Sequence, residues 1–217
     1  MKRLIRILLL AAVAIMVLPA TVALADSDTI GFTSGFSVGQ TSPGAIAPII
    51  VITPGGPVQV GVSLTGETFA GTIQGCSGQH CSLLEGASLT VNQNATLYFT
   101  DPYGTSFAGP VNGTFTISKK VGKSVQSISG TYSGSVTAGL APIPGYPVFA
   151  IQGSNNSAWT VNASTATGGF KSLKEASGSI AAAIGGYFPG GEVIYGTISG
   201  TTKDDKHDDH SDKGDGH

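Results

Sequence analysis

Val58-Gln59-Val60-Gly61-Val62-Ser63-Leu64-Thr65 alternates apolar with small or polar residues, and Gly113-Thr114-Phe115-Thr116-Ile117 repeats the pattern. A period of two sends every second side chain to the same face, so each stretch reads as a strand buried on one side and lined with Thr, Ser, Gln or Gly on the other. Working outward, comparable β-branched and aromatic runs lie at residues 48–53, 68–74, 87–91, 95–100, 111–118, 124–137, 147–152, 157–161, 179–184 and 193–201. With 58–65 they make eleven candidate strands.

The punctuation between them is turn chemistry. Pro54-Gly55-Gly56, Asp101-Pro102-Tyr103-Gly104, Lys119-Lys120-Val121-Gly122 and Pro189-Gly190-Gly191 supply the fixed or positive φ angles that chain reversals need. Ser172-Leu173-Lys174-Glu175 fits a capping box and predicts one helical turn. Many short strands between such signals predict an all-β domain, an antiparallel barrel or a sandwich. A pentad, Gly71-Thr72-Ile73-Gln74-Gly75, recurs from Gly130 to Gly134 and from Gly196 to Gly200. Its unequal spacing excludes a solenoid, and glycine at both ends suits strands that coil sharply at barrel corners.

The chain has 217 residues. Its start is basic (Lys2, Arg3, Arg6), then apolar over 7–18, then Ala23-Leu24-Ala25 before Asp26. This is the layout of a bacterial-type signal peptide over 1–25 and predicts export to the periplasm or the extracellular space. The apolar run is short for a retained span, and no further spanning run follows, so no integral membrane span is expected after cleavage. Regular ten-residue alternation and aromatic girdles, which an outer-membrane barrel needs, are disrupted by the Gly and Pro density.

After Asp26 the sequence divides into a Gly/Ser/Thr-rich lead-in segment (26–44), the all-β domain (45–202) and a charged tail (203–217). From Asp26 onward there are 8 lysines, no arginine and 13 acids, a net charge of −5. Nucleic-acid binding is excluded on this count, since it depends on Lys and Arg to displace counterions. Cys76 and Cys81 are the only cysteines, and an even count in an exported chain predicts a disulfide. A metal site on Cys76, His80 and Cys81 is the competing reading, with three ligands crowded into six residues. The tail has no large apolar residue and reads as solvated and disordered. His207, His210, His217, Asp208 and Asp209 are its candidate ligands for a weakly bound divalent transition metal; no cofactor is otherwise required.

Thr167-Gly168-Gly169-Phe170, then Ala176-Ser177-Gly178-Ser179, then Gly191-Glu192-Val193-Ile194-Tyr195-Gly196 resembles the Gly-Gly-x-Phe, Ala-x-Gly, Glu-x-x-Tyr pattern of the dirigent and allene-oxide-cyclase type of β-barrel. It is also similar to a pattern in uncharacterised secreted bacterial proteins. The resemblance covers about thirty residues, with three extra residues between Phe170 and Ala176. It implies a calycin-like, eight-stranded antiparallel barrel whose apolar interior could host a small hydrophobic molecule. Radical coupling of the dirigent kind is associated with acidic and arginine residues in the pocket; this chain lacks arginine after Asp26, and no catalytic residue carries over.

Other chemistry is sparse. Gly35-Phe36-Ser37-Val38-Gly39 spells a nucleophile elbow, but within the lead-in segment and with His80 the only histidine of the β domain. Glu67, Glu85, Asp101, Glu175 and Glu192 are scattered and read as solvated surface acids. Among the aromatics, Tyr98, Trp159 and Tyr195 are the candidate pocket residues, against the plainer expectation that aromatics at strand spacing build core. Sequons begin at Asn94, Asn112, Asn155 and Asn162.

These observations favour an exported, non-enzymatic β-domain with a structural or surface-binding role, its partners a cell-surface or matrix component or a second copy of itself. A calycin-like barrel carrying a small apolar ligand is the first alternative. An isomerase or cyclase of that barrel type, using a pocket Glu with Tyr support, is the second. An interior packed with Val, Ile and Phe predicts the structural module; an open cavity lined by Tyr98, Trp159 or Tyr195 predicts a ligand, and a buried carboxylate inside it raises the enzyme reading.

Overall fold

Three pairs of candidate strands prove continuous, and the lead-in segment adds a strand of its own. The computed structural model describes residues 29–188 and 190–203. It contains β1 (Thr29–Ser42), β2 (Ala45–Thr53), β3 (Gly56–Gly78), β4 (Ser88–Phe99), β5 (Ser106–Val121), β6 (Ser124–Pro142), β7 (Phe149–Asn162), β8 (Ser177–Phe188) and β9 (Gly191–Lys203). The predicted signal peptide, and the tail beyond Lys203 with its His and Asp candidates, lie outside the described residues.

From β2 to β9 each strand pairs antiparallel with the next, and β9 returns to β1. β1 also pairs with β3, from Phe32 opposite Gly78 to Ser42 opposite Thr68. The result is a closed eight-stranded antiparallel barrel, not a sandwich. β2 is the ninth strand and stands outside the ring. It pairs only with the first half of β3, Ala45 opposite Thr65 and Thr53 opposite Gly56, and has no ladder on its other edge among the described residues. β1 and β2 therefore lie end to end along β3. The break between them is at Pro43-Gly44, where Gly44 takes φ +63° and a Cβ would sit 2.3 Å from the Thr65 carbonyl oxygen.

Alternation builds the core as the sequence predicts. Leu89, Ala95 and Leu97 of β4, Phe115 and Ile117 of β5, and Ile151 and Trp159 of β7 are buried. Trp159 sits 6.0 Å from both Phe32 and Phe115, ring centre to ring centre. Gly200, the last residue of the third pentad, makes room for it: a Cβ there would lie 2.4 Å from Trp159 Cζ2.

The two ends of the barrel differ. One end is plugged by a single helical turn, α1 (Cys81–Leu84), and by a 3-10 segment (Gly168–Leu173), which press Leu84, Phe170 and Leu173 into the barrel, all essentially fully buried. The predicted capping box does not form. Ser172 lies inside the 3-10 segment, and its Oγ donates to the Gly169 carbonyl at 2.9 Å. The Cys76–Cys81 disulfide ties β3 to α1 with 5.3 Å between Cα atoms, which replaces the Cys/His metal reading. The chain enters and leaves here, Thr29 opposite Lys203. The other end carries no plug among the described residues, and the β2–β3 hairpin stands beside its mouth.

Candidate functional site

A belt of polar side chains crosses the apolar interior at mid-height. Tyr132 of β6 donates its hydroxyl to Gln93 Oε1 of β4 at 3.0 Å, and Gln93 Nε2 donates to Glu67 Oε2 of β3 at 3.1 Å. Gln40 Nε2 of β1 donates to Glu67 Oε1 at 3.3 Å and to Glu192 Oε2 of β9 at 3.2 Å. Glu67 is 1% exposed and Glu192 6%. These two acids are not surface residues, which corrects the sequence expectation; the other three are. Glu85 accepts from the Cys76 amide, Asp101 accepts from Thr105 and Ser106 within its own turn, and Glu175 pairs with Lys203 at 3.2 Å.

Backbone geometry explains why Glu67 points inward. The β3–β4 register shifts between Thr65 and Glu67, where Gly66 takes φ +71°. This extra residue re-phases the strand, so that Leu64, Glu67 and Phe69 all face the interior. Glu192 needs no such device, being in phase with buried Ile194.

The belt separates two small apolar spaces. The lower, toward the plug, is a cavity of about 60 Å³ lined by residues such as Phe32, Phe115, Ile128 and Trp159. The upper, toward the mouth, is a chamber of about 90 Å³ lined by Leu97, Phe107, Val136, Ile184 and Phe188, with Glu67, Gln93 and Glu192 at its floor. Ile46 of β2 forms part of its rim.

Electrostatics single out Glu192. Burial, and then the charge of Glu67, push its carboxyl up to about 8. Burial also raises Glu67, against the hydrogen bonds from Gln93 and Gln40 that favour its charged form. Glu67 accepts two amide hydrogen bonds and Glu192 one, so the proton of the pair resides on Glu192 at neutral pH. Burial, then Glu67, raises the Tyr132 hydroxyl above the usual phenol range, which keeps it a donor. Two oxygen atoms of the belt, Glu192 Oε1 and Gln40 Oε1, are buried without a hydrogen-bond partner. Leaving such groups unsatisfied costs roughly 1–3 kcal/mol each.

Of the three aromatic candidates, only Trp159 faces the interior. It lines the lower cavity and donates Nε1–H to the Ser199 carbonyl at 3.2 Å. Tyr98 and Tyr195 lie on the outer wall, about half exposed, because their strand phase is opposite to that of Leu97 and Ile194. The Gly35–Gly39 motif lies within β1, paired to β9 and β3, and forms no strand-to-helix turn. Asn155, one of the sequon residues, is interior and accepts from Ser157 Oγ at 2.6 Å. Among the described residues no group of three or more His, Cys, Asp or Glu side chains could hold a metal ion, and no helix is long and apolar enough to cross a membrane.

The belt had a readable signal. Gln93 shares the phase of Leu89, Ala95 and Leu97, and Glu192 that of Ile194. No protein-family model, curated protein or solved structure matches the chain, so its own geometry has to carry the functional reading.

Proposed function

We propose that the protein is an exported barrel that takes a small, predominantly apolar molecule into its upper chamber and holds a hydroxyl or carbonyl head of that molecule on the polar belt. One observation carries the reading: the unpartnered Oε1 of buried Glu192, on a side chain at the floor of an apolar chamber. A protonated carboxyl donates to a ligand oxygen, and the free Gln40 Oε1 accepts from a ligand hydroxyl. The size of the chamber sets the ligand class. An apolar cavity near 150 Å³ accommodates benzene, so about 90 Å³ suits a short chain whose remainder extends toward the mouth.

Protein-observed NMR during titration with 1-hexanol tests this. Saturable shifts at the Ile151 and Ile184 methyl groups are expected, with Ile128 in the lower cavity unmoved, and Ala138→Leu, which fills the chamber, weakens them. Absence of saturable shifts at the chamber sinks the reading.

A second reading, an isomerase or cyclase, is favoured by the pairing of a neutral Glu192 with a charged Glu67 in a dry chamber, an acid beside a base. It predicts a turnover that Glu192→Gln abolishes while hexanol binding persists. If no substrate survives that comparison, the binding role stands alone.

A further inference from the structure

Charge is concentrated at one end of this barrel, and most of the exposed large apolar side chains lie toward the other. Lys119, Lys120, Lys123, Lys171, Lys174 and Lys203, with Glu85 and Glu175, all belong to the plugged end or the turns around it. At the mouth the only charged side chain on the turns is Asp101, engaged by Thr105 and Ser106. No charged residue occurs between Asp28 and Glu67, so the whole β2–β3 hairpin is neutral.

What the mouth presents instead is apolar and aromatic. Ile50, Val51 and Ile52 on the hairpin are exposed, Ile52 to 79%. Tyr103 in the β4–β5 turn is 85% exposed, and Tyr146 in the β6–β7 loop and Tyr187 at the end of β8 are also exposed. The antiparallel order brings these four connections to one end. Aliphatic tips interleaved with tyrosines match the boundary between acyl chains and lipid headgroups, where an apolar ring and a polar hydroxyl are both accommodated.

We propose that the mouth end docks onto a lipid surface, and that the surface it prefers is zwitterionic. Three observations select this occupant. A basic patch, which anionic lipid would attract, is at the opposite end. The edge of β2 is poorly built for a second copy: Pro48 lacks an amide hydrogen, and a bulge between Ile49 and Ile50 interrupts the register. The docking face also surrounds the opening of the apolar chamber, since Ile46 of the same hairpin forms part of the chamber rim. A molecule dissolved in lipid would then reach Glu192 without crossing water.

The test is vesicle flotation of the processed protein as an exporting host releases it, its N-terminus verified by intact mass. With phosphatidylcholine vesicles the protein floats, and raising the salt does not release it. Val51→Asp with Ile52→Asp lowers the floating fraction about tenfold or more, whereas Val125→Asp, on an exposed turn at the plugged end, leaves it unchanged. Tryptophan probes report independently: Tyr103→Trp is quenched by brominated phosphatidylcholine and Val125→Trp is not. Failure to float on phosphatidylcholine overturns the proposal, as does flotation only on anionic vesicles at low salt, which would implicate the lysine end. A dimer in sedimentation that Ile52→Asp dissolves, with no flotation, would assign the face to a second copy. Hexanol binding in the chamber is read separately, so either result can fail alone.

Discussion

The two ends of the barrel use the same eight strands for opposite purposes. At the plugged end, Leu84, Phe170 and Leu173 fill the bore, a disulfide fastens the helical turn, Lys119 Nζ donates to the Ser82 and Glu85 carbonyls, and Lys203 pairs with Glu175. At the mouth no plug fills the bore among the described residues, an apolar chamber of about 90 Å³ lies behind it, and apolar side chains face outward. The fastenings are thus concentrated at one end.

The largest expected effect breaks this comparison at its strong end. Phe170→Ala should cost about 3–5 kcal/mol, the usual penalty for emptying a fully buried aromatic site, against roughly 1 kcal/mol for Phe188→Ala at the half-buried rim; chemical denaturation of the two variants measures the difference. Equal losses would mean that the ends are not distinct in stability.

Next comes the belt. The Glu192 carboxyl titrates higher in the folded chain than in the unfolded one, so the folded state holds the extra proton. Its contribution is fully present below the ordinary carboxylate range and is lost as pH rises through about 8. Thermal unfolding from pH 5 to pH 9 should show stability declining by on the order of 2–4 kcal/mol. Glu192→Gln should flatten most of that decline, and the remainder belongs to Glu67.

Smaller effects sharpen the picture. Replacing Cys76 and Cys81 by serine should lower stability by about 2 kcal/mol, the chain-entropy value for so short a loop, without altering hexanol binding at the far end. Glu175→Gln, which removes a solvent-exposed ion pair, should change unfolding free energy by less than about 1 kcal/mol. A larger shift would mean that the Lys203 pairing helps to close the β1–β9 seam.

Much of the fold was legible because strand periodicity and turn chemistry are local. Alternation in 58–65 and 113–117, and glycine or proline at each reversal, led to an antiparallel barrel or sandwich, and the cysteine spacing led to the disulfide. What escaped was set by distant partners. Residues 29–42 fall in the Gly/Ser/Thr-rich segment set outside the β domain, yet form the strand that closes the ring, because β3 and β9 supply ladders on both sides. Glu67 reads as a solvated surface acid, since a bulge hides the phase by inserting one residue. Tyr98 and Tyr195 were singled out for chemistry, whereas their phase turns them to the outer wall.

One consequence follows from Thr29 standing opposite Lys203 in the β1–β9 ladder. With the first and last strands hydrogen-bonded neighbours, a short peptide could splice them and the chain could be reopened at the exposed Lys119–Ser124 hairpin, yielding a circular permutant with every ladder except that turn retained. A new segment could likewise be joined directly before β1 or after β9, on the side of the barrel away from the mouth.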